Sequence, residues 1–444
     1  MKKSILFIAV CATLIVNLPV DAMPQTTAAP AVALEPVPAA KAAPASEQQT
    51  GTPATVPNQA EIHNLIKRMP IWRVYEPVTK EMLMPYVLKP VTKAGLNRLV
   101  DFQFSDATQA NFKEMFGNAT PLHINLQDNA AGGVDMMFLL QALDYKDAQS
   151  DNQSRWEPLI GRVRYSKDLK HFNTVADWPY FSQRFGDNAG FELKQVHIVQ
   201  DSTYNQHHLA IGKGQFVISE LSFFVGHPDK GVKAHHVELT SDISQVGTKL
   251  TMAVTTSIGE MQVADQTVGP IHFDYSLLNL NEAAAADFMK SAVELSKNQP
   301  TMEKQLADSH KLFSTKLLPV ISPTSRFEIK DLSVVYQSLK ASLKGAVWLD
   351  NAKKSDMTSV SLLQKKIAAH VELTMPKALA LKITKLVSAI KPGPNAEQQT
   401  NAGLQALIAA DMIKEEQDQL SVVFDYTNGV KKVNGHDIND KPKK

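Results

Sequence analysis

The stretch Pro270–Lys297, PIHFDYSLLNLNEAAAADFMKSAVELSK, decides how the rest of the chain is read. Ile271, Phe273, Tyr275 and Leu277 alternate with other residues at period two, the pattern of a strand with one buried face. From Asn281 the period changes. Phe288, Ala292 and Leu295 step by four and three, the rhythm of a helix that buries one stripe. Asn281 is placed to cap that helix, because its side-chain oxygen can accept from the free N–H groups of the first turn. A long strand running straight into a long helix is therefore the expected building unit. No catalytic signature accompanies it.

Downstream, Met302–Leu318 predicts a second helix, closed by Pro319 and Pro323. Arg326–Tyr336, Lys340–Leu349 and Lys365–Thr374 then read as three strands. A helix opening at Pro376 carries Leu379, Ile383, Leu386 and Ile390, and Pro392-Gly393-Pro394 breaks it. Asn395 is read as the cap of a further helix running to about Gln419. Leu420, Val422, Phe424 and Tyr426 form a last strand that turns at Asn428-Gly429, a strong hairpin dipeptide.

Upstream, Asp106–Phe116 predicts a helix stopped by Gly117. Leu122–Leu126, Val134–Tyr145, Gly161–Tyr165 and Phe191–Val199 read as strands, and Gln206–Val225 as two short strands around Gly212 and Gly214. Val232–Ile243 and Lys249–Ile258 lead back to the opening stretch. Hairpin-length gaps favour antiparallel pairing, since parallel neighbours need long crossovers.

The predicted class is thus α+β: a large, curved antiparallel sheet with long helix pairs packed on it. Both halves read strand-strand-strand-helix-helix, offset by about 95 residues (Phe288 against Ile383), so a diverged duplication and an ordinary meander are both consistent with the pattern.

At 444 residues, 44% hydrophobic and 20% charged, the chain has the composition of a globular protein with a real core. Forty-six Lys plus Arg against 45 Asp plus Glu leave a net charge of +1, which argues against nucleic acid as a partner. Lys2 and Lys3 precede the apolar run Ile5–Val16, broken by Asn17 and Pro19. That run is too short for a bilayer span, which takes about 20 residues, and it fits a cleaved secretory signal over 1–22. Residues 23–60, rich in Pro and Ala, read as a disordered linker, 61–118 as an irregular and helical segment, 119–436 as the main domain and 437–444 as a charged tail. Cys11 is the sole cysteine and lies in the leader, so a processed chain has no thiol chemistry.

The one unusual cluster is histidine: six of thirteen fall between His197 and His236, including His207-His208 and His235-His236. Adjacent residues on a strand point to opposite faces, so each doublet offers one ligand per face, and no HExxH accompanies them. No G-x-S-x-G occurs, and Gly212-Lys213-Gly214 lacks the remainder of a phosphate loop. Accordingly no catalytic, cofactor-binding or metal-ligating residue is assigned and no cofactor is expected. The expected function is non-enzymatic: an exported binding or structural module, with envelope proteins or lipids as partners. The alternative is a periplasmic carrier or sensor of lipid-like ligands in a groove between sheet and helices.

Four stretches carry a family resemblance: TPLHINLQDNAAGGVDMMFLLQALDY (120–145), GPIHFDYSLLNLNEAAAADFM (269–289), VELTMPKALA (371–380) and SVVFDYTNGVKKVNG (421–435). In that order the chain resembles the YdgA family of bacterial envelope proteins. The resemblance implies a Gram-negative periplasmic or envelope location and no established activity. None of the stretches is a catalytic motif, so it transfers no site residue. Members of that family begin with an apolar anchor, where this chain has a short leader and a Pro/Ala linker.

Overall fold

The computed structural model describes residues 86–91, 97–147, 151–186, 189–226, 231–263, 266–297, 312–358, 360–390 and 396–438. The expected signal over 1–22, the linker over 23–60 and the first part of the segment expected over 61–118, up to residue 85, lie outside the described residues. Two compact units divide between Asp201 and Ser202.

The N-terminal unit opens with strands β1 (Tyr86–Pro90) and β2 (Asn97–Phe102) and helix α1 (Asp106–Phe116). Ser105 caps α1 by accepting from the Thr108 N–H, and Gly117 ends it in the left-handed region at φ 66° while donating to Lys113 O. Strands β3 (Leu122–Asp128), β4 (Val134–Leu140), β5 (Leu143–Lys146), β6 (Gln153–Trp156), β7 (Leu159–Tyr165), β8 (His171–Phe185) and β9 (Ala189–Tyr204) follow. Antiparallel ladders join β1–β2–β3–β4–β7–β8. β8 serves two partners in turn, β7 through Phe172–Asp177 and β6 through Phe181–Arg184, and β6 pairs onward with β5. Pro179 sits at the changeover, where a missing N–H breaks neither ladder.

This unit has a closely packed core. Phe102, Phe104, Phe112, Phe116, Trp156, Trp178, Phe181 and Phe191 form a continuous chain of ring contacts, with centroids 4.8–5.9 Å apart. Both indoles are satisfied: Trp156 Nε1 donates to Gln141 O and Trp178 Nε1 to Glu157 O. Gly161 is required opposite Phe138, because a Cβ there would stand 2.1 Å from the Phe138 ring.

The C-terminal unit is a long antiparallel sheet. Its strands are β10 (Ala210–Val225), β11 (Val232–Val246), β12 (Lys249–Val263), β13 (Gln266–Val268), β14 (Ile271–Asn281), β15 (Arg326–Tyr336), β16 (Leu339–Leu349), β17 (Ile367–Pro376), β18 (Lys414–Glu416), β19 (Gln419–Thr427), β20 (Val430–Val433) and β21 (His436–Asp437). The order is β10–β11–β12–β14–β15–β16–β17–β19–β20–β21, with β13 on β12 and β18 on β19. The sheet is not closed.

Strand β14 runs without a loop into α2 (Glu282–Lys297), and Asn281 Oδ1 accepts from the Ala284 N–H as its sequence position suggests. β17 likewise runs into α4 (Lys377–Ile390), after the short α3 (Val360–Gln364), and α5 (Ala396–Ala409) returns to β18.

The expected helix pairs packed on the sheet are not there, and strand far outweighs helix. The α+β class therefore gives way to a mostly-β one. α4 and α5 pack against each other, and the helices meet the sheet beside the strands where they begin. The described end of the expected helix at 302–318 is a π turn at Phe313–Leu317 and a 3-10 turn at Leu318–Val320. The predicted helix to Gln419 stops at Ala409, because Asp411 adopts φ 55° and a Schellman closure forms, with the Met412 N–H bonded to Leu407 O. Gln206–Val225 contains one long strand from Ala210, not two; Val134–Tyr145 is broken after Leu140 into β4 and β5; and β1, β2, β6 and β8 lie where no strand is expected from the sequence.

Candidate functional site

Directly paired residues of an antiparallel ladder share a face, so the register sorts the long sheet into two surfaces. One lateral row runs Val254, Tyr275, Ile329, Gly345, Val371 and Phe424. The next runs Leu239, Thr256, Phe273, Leu332, Leu343, Leu373 and Val422. A third carries Met252, Leu277, Phe327 and Val347. These rows make one continuous apolar face. The reverse face carries Gln215 paired with Thr240 and donating to Glu238, Thr255 paired with Asp274, Ser276 with Glu328, and His370 with Asp425.

Burial falls off along the apolar face. Leu239, Val254 and Tyr275 are its buried centre, packed with Met252, Phe273 and Phe327. The Phe273 and Tyr275 rings stack at 4.6 Å, and burial pushes the Tyr275 phenol well above its ordinary range. Towards β15 and β16 the face opens. Leu332 and Val347 are each 37% exposed, and Leu343, Val371, Leu373 and Phe424 are half-buried. No described residue on these rows is ionic, so the face can hold a ligand by burial of apolar area but offers it no charge partner.

Polar chemistry lies elsewhere. His370 Nδ1 is 2.7 Å from Asp425 Oδ1 and its Nε2 is 3.0 Å from Glu372 Oε1. Hydrogen bonds to Asp425 and then Glu372 raise the imidazole's pKa, because both carboxylates favour the protonated ring. The sequence cue, His370 and Glu372 two residues apart on one strand face, needs Asp425 from β19 to complete it, and a partner 55 residues away is not visible in the sequence. In the N-terminal unit Asp135 is 10% exposed in its side chain and is gripped by Arg162, Arg164 and Asn129. Burial pushes its carboxyl up, but the hydrogen bonds from Arg164, Arg162 and Asn129 outweigh it and hold the group at about 2.

The histidine-rich segment does not assemble a centre. His197 Nδ1 is 2.6 Å from Asp177. His235 Nδ1 is 3.8 Å from Glu220, and His208 and His236 are left-handed residues at φ 60° and 53°. His207 Nε2 lies 3.9 Å from the buried Glu282 carboxylate, which also accepts from Asn205 Nδ2 at 2.9 Å. Among the described residues no group of three or more His, Cys, Asp or Glu is arranged to hold a metal ion.

A family model described as a bacterial protein of unknown function (DUF945) matches residues 99–440. No curated protein and no solved structure matches the chain.

Proposed function

We propose, for a chain that belongs to this bacterial family of unknown function, that it is an exported, non-catalytic envelope module binding lipid-like ligands on the apolar sheet face. The observation that carries the reading is the row Phe273–Leu332–Leu343–Leu373, apolar on each of these strands, half-buried along its length and most open at Leu332. The eight long strands from β10 to β19 span roughly 34 Å at about 4.8 Å per spacing, wide enough for an extended hydrocarbon chain. Each methylene laid on such a face contributes roughly 0.8 kcal/mol. The described helices are not packed over the sheet as a second wall, so on this reading the ligand lies on the sheet itself.

Export is supported by the Lys2-Lys3 start, the short apolar run and its break at Asn17 and Pro19. The likeness of 120–145, 269–289, 371–380 and 421–435 to YdgA-type envelope proteins supports the same compartment. Protein purified without detergent and extracted for mass spectrometry is expected to release acyl lipids in near-stoichiometric amount. Leu332→Glu with Val347→Glu should abolish that recovery while leaving the fold intact. An extract free of lipid, with none taken up on incubation with fatty acid, sinks the reading. Multiple turnover of a defined substrate would remove its non-catalytic part.

A further inference from the structure

The third row of the apolar face continues past Val347. Val347 pairs with Ala369, Ala369 with Tyr426, and Tyr426 with Lys431 on β20. Directly paired side chains lie within reach of one another. A row that is apolar through Leu277, Phe327 and Val347 therefore ends on a phenol and an ammonium group. Both stand at the solvent margin, Tyr426 half-buried and Lys431 exposed. Within the rows traced above the face offers no charge; this margin supplies one.

The two lysines of β20 have opposite surroundings. Lys432 is on the reverse face, where its ladder partners are Asp425 and Asp437. Lys431 is on the apolar face, between Tyr426 and Ile438, which is 44% exposed and donates its N–H to the Lys431 carbonyl. Among the described residues Lys431 makes no ion pair and the Tyr426 hydroxyl no hydrogen bond. At the opposite margin, beyond Met375 and Leu420, the charges cancel: Lys377 Nζ lies 2.6 Å from Glu415 Oε1.

An edge-strand lysine keeps foreign strands off a sheet, and for that it needs only to face water. Lys431 instead closes an apolar row, with a second donor beside it. Two donors and one positive charge match the two oxygens and single charge of a carboxylate, and the one row leading away from them matches one acyl chain. A head group held at the margin also keeps its hydration, while the tail gives up water along the row. Resting on the lipid reading above, we infer that the ligand is a single-chain fatty acid. Its carboxylate is held by Lys431 and Tyr426, and its chain runs over Ala369, Val347 and Phe327 towards the buried centre.

Calorimetric titration of the full chain with dodecanoic acid and with dodecanol at pH 8 separates head from tail. The acid is expected to bind about tenfold tighter than the alcohol, the size of one charge-assisted hydrogen bond at a half-open site, and molar salt should shrink the difference. Lys431→Gln should bring the acid down to the alcohol's affinity and leave the alcohol unchanged. Lys431→Arg should keep the preference, and Lys432→Gln, on the reverse face, should alter neither ligand. Acid and alcohol binding alike to the native chain overturn the fatty-acid assignment while the lipid reading stands, and that comparison needs no variant to fold. A preference that outlives Lys431→Gln overturns it too, as does co-purified phosphatidylglycerol recovered equally from Lys431→Gln. Binding of neither ligand defeats the assignment and the lipid reading together.

Discussion

Among the described residues the nine largest fully buried side chains are Trp156, Phe112, Phe181, Leu122, Ile124, Leu126, Met136, Leu140 and Leu143, and all belong to the N-terminal unit. The C-terminal unit is longer, yet none of its described side chains joins that group: its cluster of Leu239, Val254 and Tyr275 has a half-buried fringe, and Ile218, Leu250, Phe288, Leu379 and Leu420 are buried besides. Both begin from antiparallel strands with one apolar face. In the first, α1 and the aromatic chain fill the space beside that face. In the second, the helices are spent on connections between neighbouring strands. A single sheet can therefore be held by backbone ladders and cross-strand pairs over great length, at the cost of leaving apolar area uncovered. Stability concentrates in one unit and free surface in the other.

That contrast is open to direct attack. Trp156→Ala should cost about 3–5 kcal/mol in denaturant unfolding, as expected when a large fully buried ring is lost. Leu343→Ala, on the half-open face, should cost less than about 1.5 kcal/mol by the same measurement, scaled to its smaller burial. Equal losses would mean that the two faces are packed alike.

Asp135→Asn tests whether the N-terminal unit also relies on its ion cluster. A loss of about 1–3 kcal/mol at neutral pH is expected, since Arg162 and Arg164 lose a charged acceptor. The Asp135 carboxyl is depressed from 3.8 to about 2, so its contribution is present above about pH 4 and fades as pH falls towards 2. Melting temperatures of wild type and variant should converge over that window.

The long sheet has a cheaper flaw to repair. Gln337 and Ser338 take φ 49° and 65° in the β15–β16 hairpin, a turn that favours glycine. Ser338→Gly should raise stability by about 0.5–1 kcal/mol in a thermal melt, by relieving left-handed strain. The smallest effect belongs to His370. Its pKa is raised by Asp425 and Glu372, so its contribution is complete below its ordinary value near 6.5 and is lost as pH rises through the folded value. His370→Gln should flatten that part of the melting profile.

Much of this architecture could be read from particular residues. The alternation of Ile271, Phe273, Tyr275 and Leu277 identified both β14 and its buried face, and Asn281 identified the start of α2. Asn428 and Gly429, at φ 52° and 83°, make the turn their identities demand. Pro179 hid β8, because proline inside an apolar run argues against a strand unless the ladders change there. The helix end at Ala409 was hidden because the closing left-handed residue is Asp411 in place of glycine. The candidate face was legible strand by strand. Its openness was not, because exposure depends on what stands opposite, and periodicity reports only that a stripe is apolar.

The changeover at Pro179 has a consequence of its own. The halves of β8 on either side of it belong to different hydrogen-bond ladders, and residues 178–180 contribute no pair to either. Yet the Tyr180 carbonyl takes the Glu157 N–H and the Trp178 ring meets Phe181 in the core, so a cut or insertion at Trp178–Tyr180 would miss the β7 and β6 ladders and still break into the aromatic core.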